Sequence, residues 1–254
     1  SGSALLNYYP AISEAYFSNI PLVVLSADRP KEFLNIGDGQ TINQKNVFEK
    51  NIEYSVDLDQ KDKSFFSLLG LKPDNQTKIN NALNISITKQ MPVHINVPLS
   101  EPLYELTDYM SVNTINILPK LNKSRDTRIN SFTKKWQNSI KKIILIGVSS
   151  PGLLNKKSID LLANDPSLLV LTENTSNVYH PLFCNKIDQL VAPLTISELK
   201  DFRPEILITM GGMIISKKIK VIFRNNQPKE HWHIGNHKVN DTFFCLTKHF
   251  KSKP

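Results

Sequence analysis

Cysteine is almost absent from this chain: Cys184 and Cys245 are the only two in 254 residues. They lie far apart and form no CxxC or paired framework, which argues against a disulfide-stapled secreted domain and leads us to expect a reducing cytoplasm. Long apolar runs are also missing. The longest, Pro21-Leu22-Val23-Val24-Leu25 and Ile143-Ile144-Leu145-Ile146, fall far short of the roughly 20 residues that cross a bilayer, so no membrane insertion is expected. Arginine is scarce, with Arg29, Arg125, Arg128, Arg203 and Arg224 the only five. The formal charge of +8 therefore comes from lysines spread along the chain. Because aromatics do not interleave with them, nucleic acid is not the expected partner; a solvated lysine surface or sites for small anionic substrates explains the surplus. No GxGxxG, GxxxxGK[ST] or GxSxG occurs, so dinucleotide, P-loop and serine-hydrolase readings find no support. There is no initiator Met and no signal-peptide pattern, and the chain is expected to begin within a longer protein.

Hydrophobic residues make up 40% and charged residues 21%, enough for a packed core in one large domain or two ordinary ones. Apolar residues recur at helical spacing from Ser3 to Ser18, with Pro10 kinking or starting the helix. Pro21–Ala27 reads as a parallel strand covered on both faces, ended by Asp28-Arg29-Pro30. Residues 33–48 read as loop and short helix, and a helical segment is expected around Phe65–Leu69. Pro92–Pro98 alternates apolar and polar residues between bracketing prolines and reads as the next strand. Residues 111–127 read as a linker between a domain over 1–110 and a second over 128–254. In the second, helices near 128–142 and 155–164 alternate with strands at Ile143–Val148, Leu168–Thr172 and Ile206–Met210. A helix over Ile214–Phe223 and a strand at His231–Ile234 follow. The fold class is α/β: two parallel-sheet domains, the second Rossmann-like.

Ligands of open α/β sheets gather beyond the carboxyl ends of the strands. There, Asp28-Arg29 can face a ligand, or pair with each other, or cap a helix. Gly211-Gly212 can let backbone approach a ligand, and the helix start beyond it attracts anions. If that helix starts near Ser216, Lys217 and Lys218 oppose its macrodipole at about 0.3–1 kcal/mol each, which suggests an anion held nearby. If it starts earlier, both are ordinary solvated lysines. His231, His233 and His237 could suggest a metal, but no acidic or Cys ligand stands close in sequence, and an exposed strand face explains them equally.

Four segments taken together are recognisable: Ser1-Gly2-Ser3-Ala4 leading to Asn7-Tyr8-Tyr9-Pro10-Ala11; Ser26-Ala27-Asp28-Arg29-Pro30; Ile36-Gly37 through Gln40-Thr41-Ile42-Asn43-Gln44; and Pro92–Pro98 with Glu101-Pro102-Leu103-Tyr104. In order and spacing they resemble the 2-succinyl-5-enolpyruvyl-6-hydroxy-3-cyclohexene-1-carboxylate synthases of menaquinone biosynthesis. The second half resembles that family's central domain more loosely, chiefly through the strand, Gly-Gly and paired-cation segment ending at Lys217-Lys218.

The resemblance implies a thiamine diphosphate-dependent transferase, with Mg2+ or Mn2+, working as a homodimer or tetramer in the cytoplasm. Its reaction would be decarboxylation of 2-oxoglutarate and addition of the succinyl carbanion equivalent to isochorismate. The chain would be an internal fragment, inactive alone, holding a partial pyrimidine-binding domain and a central domain. Ser1, Gly2 and Ser3 fall on the loop at the cofactor, Arg29 and Gln40 on the substrate pocket, and Lys217 and Lys218 on a carboxylate-binding pair whose second member is often Arg. Lys218 lacks that planar fork. No catalytic residue and no metal ligand is expected within the chain: the family's activating glutamate precedes the Ser-Gly-Ser segment, and Glu14 and Glu32 read as surface or capping residues. Gly37-Asp38-Gly39 matches the opening of the superfamily's diphosphate and metal motif, but it sits in a loop after a strand has ended and is not assigned that role. The alternatives are a non-catalytic anion-binding or assembly module and, less well matched, an acetolactate synthase relative.

Overall fold

Strand β1 (Leu22–Asp28) lies at one side of a parallel three-stranded sheet of order β1-β3-β2, with β3 (Pro92–Pro98) central and β2 (Tyr54–Asp57) beyond it. This computed structural model describes residues 1–60, 74–100, 106, 129–236 and 238–254. The expected helix at Phe65–Leu69, the Glu101–Tyr104 segment, the linker over 111–127 and His237 lie outside them. The chain divides into two compact units, Ser1–Asn122 and Lys123–Pro254, and each is described by itself.

In the first unit a 3-10 segment, Gly2–Tyr8, runs into helix α1 (Tyr9–Phe17), whose first turn holds Pro10. Proline thus marks the start of this helix, where its missing N–H costs nothing. Helix α2 (Asn75–Lys89) is capped by the Asp74 carboxylate, which accepts from Thr77 N at 2.6 Å. It packs Ala82 against Val93 and Ile95 of β3. Their register partners on β1, Val23 and Leu25, are exposed, Leu25 by 66%. The expectation that this strand is covered on both faces is therefore corrected: among the described residues β1 is an edge strand, and only its Val24, Ser26 and Asp28 face is buried. Strand β2 escaped the sequence reading because four half-buried residues carry too short a period to register.

The second unit carries α3 (Ile129–Asn138), β4 (Lys142–Ile146), α4 (Lys156–Ala163), β5 (Leu168–Thr172), α5 (Ile187–Val191), α6 (Ile196–Asp201), β6 (Ile206–Met210), α7 (Lys217–Asn225), β7 (Glu230–Ile234) and β8 (Leu246–Phe250). Its five strands are all parallel in the order β5-β4-β6-β7-β8. Every residue of β4 and β6 is buried, as central strands between two helical layers require. Helices α5 and α6 and strand β8 are additions to the sequence reading, and α7 starts three residues later than expected.

The strand order reverses between β4 and β6, the place where such sheets commonly open a ligand crevice. Here the two loops zip together instead. Gly147 N donates to Met210 O at 2.9 Å, Val148 N to Met213 O at 3.0 Å, and Gly212 N to Val148 O at 2.7 Å. A Cβ on Gly147 would meet the carbonyl oxygens of Gly212 and Met213 at 2.5 and 2.8 Å, and one on Gly211, at φ +76°, would meet Val148 O at 2.9 Å. Gly147→Ala is therefore expected to destabilise the protein by about 2–3 kcal/mol through overpacking against backbone that cannot move aside. Gly39→Ala, where nothing lies within 4 Å, should stay within about 0.5 kcal/mol. Urea unfolding of both variants checks this; equal midpoints would overturn it.

Candidate functional site

On the buried face of the first sheet, parallel register sets Ser26, Asn96 and Asp57 side by side across β1, β3 and β2, with His94 and Ser55 paired one row below. Buried polar groups must be hydrogen-bonded, and here the accounting closes. Asn96 Oδ1 accepts from Ser26 Oγ at 2.7 Å and from Gln44 Nε2 at 2.8 Å, while its Nδ2 donates to Asp28 Oδ2 at 2.8 Å and Asp57 Oδ1 at 3.0 Å. Because the Ser26 proton points at Asn96, His94 Nε2 must donate to Ser26 Oγ, at 2.7 Å, leaving Nδ1 to accept from Ser55 Oγ at 3.3 Å. This tautomer is assigned from the partners. Burial holds the imidazole below its usual pKa, against the opposing charges of Asp57 and Asp28, so His94 is neutral.

Gln44, from the loop after β1, completes the cluster. Its Nε2 also donates to Ala27 O at 3.1 Å, and its Oε1 accepts from Gly2 N at 2.8 Å. The Ser1-Gly2-Ser3 loop is thereby tied to the carboxyl end of β1. Gly2 is buried with φ +62°, and its α-carbon lies so close to Gln40 that an added Cβ would stand 2.8 Å from the Gln40 carbonyl. Ser1 and Ser3 are exposed on either side, as is Gln40, itself at φ +59°. Two positions of interest, Gly2 and Gln40, are thus brought into contact. Arg29 follows β1 directly and is half-buried, its backbone N donating to Asp28 Oδ1 at 2.9 Å. Asp28 is therefore occupied by Asn96 and this amide. Sequence reasoning overlooked Ser26, Gln44, His94 and Asn96. For His94 and Asn96 the signal was present in the polar alternation of Pro92–Pro98, which marks a polar core and not a solvated face.

In the second unit, α7 does start at Ser216, whose side chain caps Ile219 N at 3.1 Å. Lys217 and Lys218 occupy its first two positions and are exposed. The anion at this helix start is the protein's own: Glu173 accepts from Ile215 N at 2.9 Å and Ser216 N at 2.6 Å, and the Ser216 hydroxyl donates to Asp188. Glu173, Asp188, Lys186 and Ser216 line an open cleft of about 400 Å³ beside β5. Gly211 and Gly212, read as sites of close ligand approach, serve the loop pairing already described.

His231 and His233 are buried, not an exposed strand face; both rings share the Thr209 hydroxyl, at 3.0 and 2.9 Å. No group of three His, Cys, Asp or Glu that could hold a metal occurs among the described residues.

Two parallel α/β units of this kind define a fold class with a solved counterpart. An X-ray structure of a Mycobacterium smegmatis protein assigned as a thiamin diphosphate-dependent enzyme superposes with a TM-score of 0.56 over 98% of this chain and 46% of that one, at 11% identity. No family model matches. In sequence the likeness is much closer. The chain is 48% identical over 254 residues to the 2-succinyl-5-enolpyruvyl-6-hydroxy-3-cyclohexene-1-carboxylate synthase of Flavobacterium psychrophilum, across 100% of this chain and 44% of that protein. The synthases of Christiangramia forsetii and Flavobacterium johnsoniae are each 44% identical, across 98% and 100% of this chain and 46% and 45% of theirs. The resemblance to this synthase family thus holds from end to end of the chain, which spans under half the length of the curated relatives it matches.

The buried histidines make stability pH-dependent. His231 and His233 are both lowered from 6.5 to about 4, chiefly by burial; Asp241 opposes the shift of His231, and His249 and His231 add to that of His233. Between those values the unfolded chain binds protons that the folded chain refuses, so stability is full above about pH 6.5 and is lost as pH falls toward 4. Urea midpoints are expected to drop steadily from pH 7 to 4.5, and the drop should shrink in His233→Gln. A flat profile would contradict it.

Proposed function

We propose that this chain is part of a thiamine diphosphate-dependent transferase of menaquinone biosynthesis that joins decarboxylated 2-oxoglutarate to isochorismate, giving 2-succinyl-5-enolpyruvyl-6-hydroxy-3-cyclohexene-1-carboxylate. The observation that carries this is the identity of 44–48% with three named synthases along essentially the whole chain. Residues 1–110 would form a partial pyrimidine-binding domain and 128–254 the central one, joined through 111–127. The assembly would be a cytoplasmic homo-oligomer, and the chain by itself would be inactive.

When bound, the cofactor would supply the electron sink that 2-oxoglutarate decarboxylation needs. The residues present fit only one side of it. Gly2 N–H is committed to Gln44, so the loop can offer the exposed Ser1 and Ser3 hydroxyls and its carbonyls, which suit a neutral heterocycle and not a diphosphate. The diphosphate and its Mg2+ or Mn2+ would be held by residues outside this chain.

Both substrates are dicarboxylates, and the proposed contacts answer them in charge. Arg29 can grip a carboxylate with two parallel N–H donors, Gln40 can orient it, and Lys217 and Lys218 supply compact positive charge. Their work would be to bind and orient two anions that repel each other, before either reacts.

The full-length protein, given isochorismate, 2-oxoglutarate, thiamine diphosphate and Mg2+, is expected to release CO2 and form the adduct; absence of product would sink the assignment. Arg29→Ala in that protein should lower kcat/KM by about 10–100-fold, the cost of removing a charged hydrogen-bond partner of roughly 1.5–3 kcal/mol. Lys217→Ala should raise the KM for one dicarboxylate. Unchanged kinetics would remove these residues from the site.

A further inference from the structure

We infer that Gln44 is a positioning residue: its side-chain amide sets the Ser1-Gly2-Ser3 loop, and with it Gln40, against the strand end that carries Asp28 and Arg29. The inference rests on the function proposed above and adds a residue to which that reading gave no part.

Three observations carry it. First, Gln44 bonds to both sides of the join. Its carbonyl oxygen takes Gly2 N–H at 2.8 Å, while its amino group reaches Asn96 Oδ1 at 2.8 Å and Ala27 O at 3.1 Å. Second, its orientation cannot be reversed. A flipped amide would aim a carbonyl at Ala27 O and Asn96 Oδ1 and an amino group at Gly2 N–H, turning three bonds into three repulsions. Third, the join has no slack. Gly2 is held at φ +62° with its α-carbon against the Gln40 backbone, so any shift of Gly2 is passed to Gln40. Gln44 is itself buried, with 1% of its surface exposed. It does not face a ligand, and it acts through the residues that would.

A side chain that only stabilised the fold would change how much protein is folded, not how tightly the folded protein binds. Positioning separates the two, because a displacement of about 1 Å at a binding loop can cost roughly a hundredfold. The tests use the full-length protein in this numbering. Gln44→Met keeps the length and removes every polar contact; Gln44→Glu keeps an acceptor for Gly2 N–H and loses the donors. For Gln44→Met, thiamine diphosphate binding followed by calorimetry is expected to weaken at least tenfold, with kcat at saturating cofactor within about threefold of the parent. In the cofactor-free protein, hydrogen exchange at Gly2 should speed up, and for Gln44→Glu it should stay closer to that of the parent. Should Gln44→Met fail to fold, Gln44→Glu carries the binding comparison, with a weakening expected. Unchanged cofactor affinity in the folded variants, with activity lost only in proportion to unfolded protein, would overturn the positioning role. A parent that binds no thiamine diphosphate at all would overturn the proposed function and this inference together, whereas a binding parent with indifferent variants overturns the inference alone.

Discussion

Asn96 sits buried at the centre of a parallel sheet, and both its oxygen and its nitrogen carry two partners. An amide in that position tolerates one orientation, because an unmade bond there costs about 1–3 kcal/mol. That single constraint propagates. It orients Ser26, and through Ser26 it sets the tautomer of His94. It gathers the carboxylates of Asp28 and Asp57 from strands on either side, and it requires a donor from the loop above, which Gln44 provides. A polar row of this kind trades apolar burial for directional information: an apolar sheet face would hold the strands equally well but would say nothing about where the loop at the strand ends must lie.

The second unit meets the same need for an organised carboxyl edge with other means. There the central strands β4 and β6 are mostly apolar, and the loops beyond them are locked by backbone bonds that only glycine lets form. Side-chain chemistry is moved outward to Glu173, which occupies the start of α7. Glu173 is held from two directions: its own backbone N–H donates to the Ser176 hydroxyl oxygen at 2.9 Å, and its carboxylate accepts from the backbone N–H groups of Ile215 and Ser216. The crevice that the strand order would open is closed, and the cleft that remains lies to one side, beneath Asp188 and Lys186.

The parallel α/β build was legible because buried strands of the second unit announce themselves. Leu168–Thr172 and Ile206–Met210 match their observed limits residue for residue, being mostly apolar runs of strand length. Proline helped as well, since Pro10 had to kink a helix or start one, and it stands in the first turn. What stayed hidden depended on contacts far apart in sequence. Alternation in Pro92–Pro98 looks the same whether the polar face meets water or other polar side chains, and only the register with Ser26 and Asp57 decides it. The glycines after β6 showed that something approaches closely, but not that the visitor is the loop after β4. Position at a strand or helix end singled out Arg29 and the lysines, and the family resemblance supplied Gln40 and their roles; neither supplied Gln44, whose part follows from hydrogen bonds to Gly2 and Asn96 that span 42 and 52 positions.

Occupation of the α7 start by Glu173 bears on how a substrate carboxylate could be held in this unit. A free helix N-terminus binds anions through its backbone N–H groups and dipole. Here the amides of Ile215 and Ser216 are taken by a carboxylate, and the Ser216 hydroxyl is turned toward another, Asp188. A second anion brought to the same amides would face like charge at hydrogen-bonding distance. Lys217 and Lys218 escape that conflict because they are exposed and their flexible stems carry the ammonium groups away from the helix axis. Glu173 also offsets the unfavourable interaction of two cations with the positive end of the helix. Under the proposed function, recognition in this unit therefore falls to ammonium groups acting as point charges and not to the helix dipole. That would suit the proposed carboxylate contact, since a point charge constrains the geometry of its partner less than a fixed set of amides does.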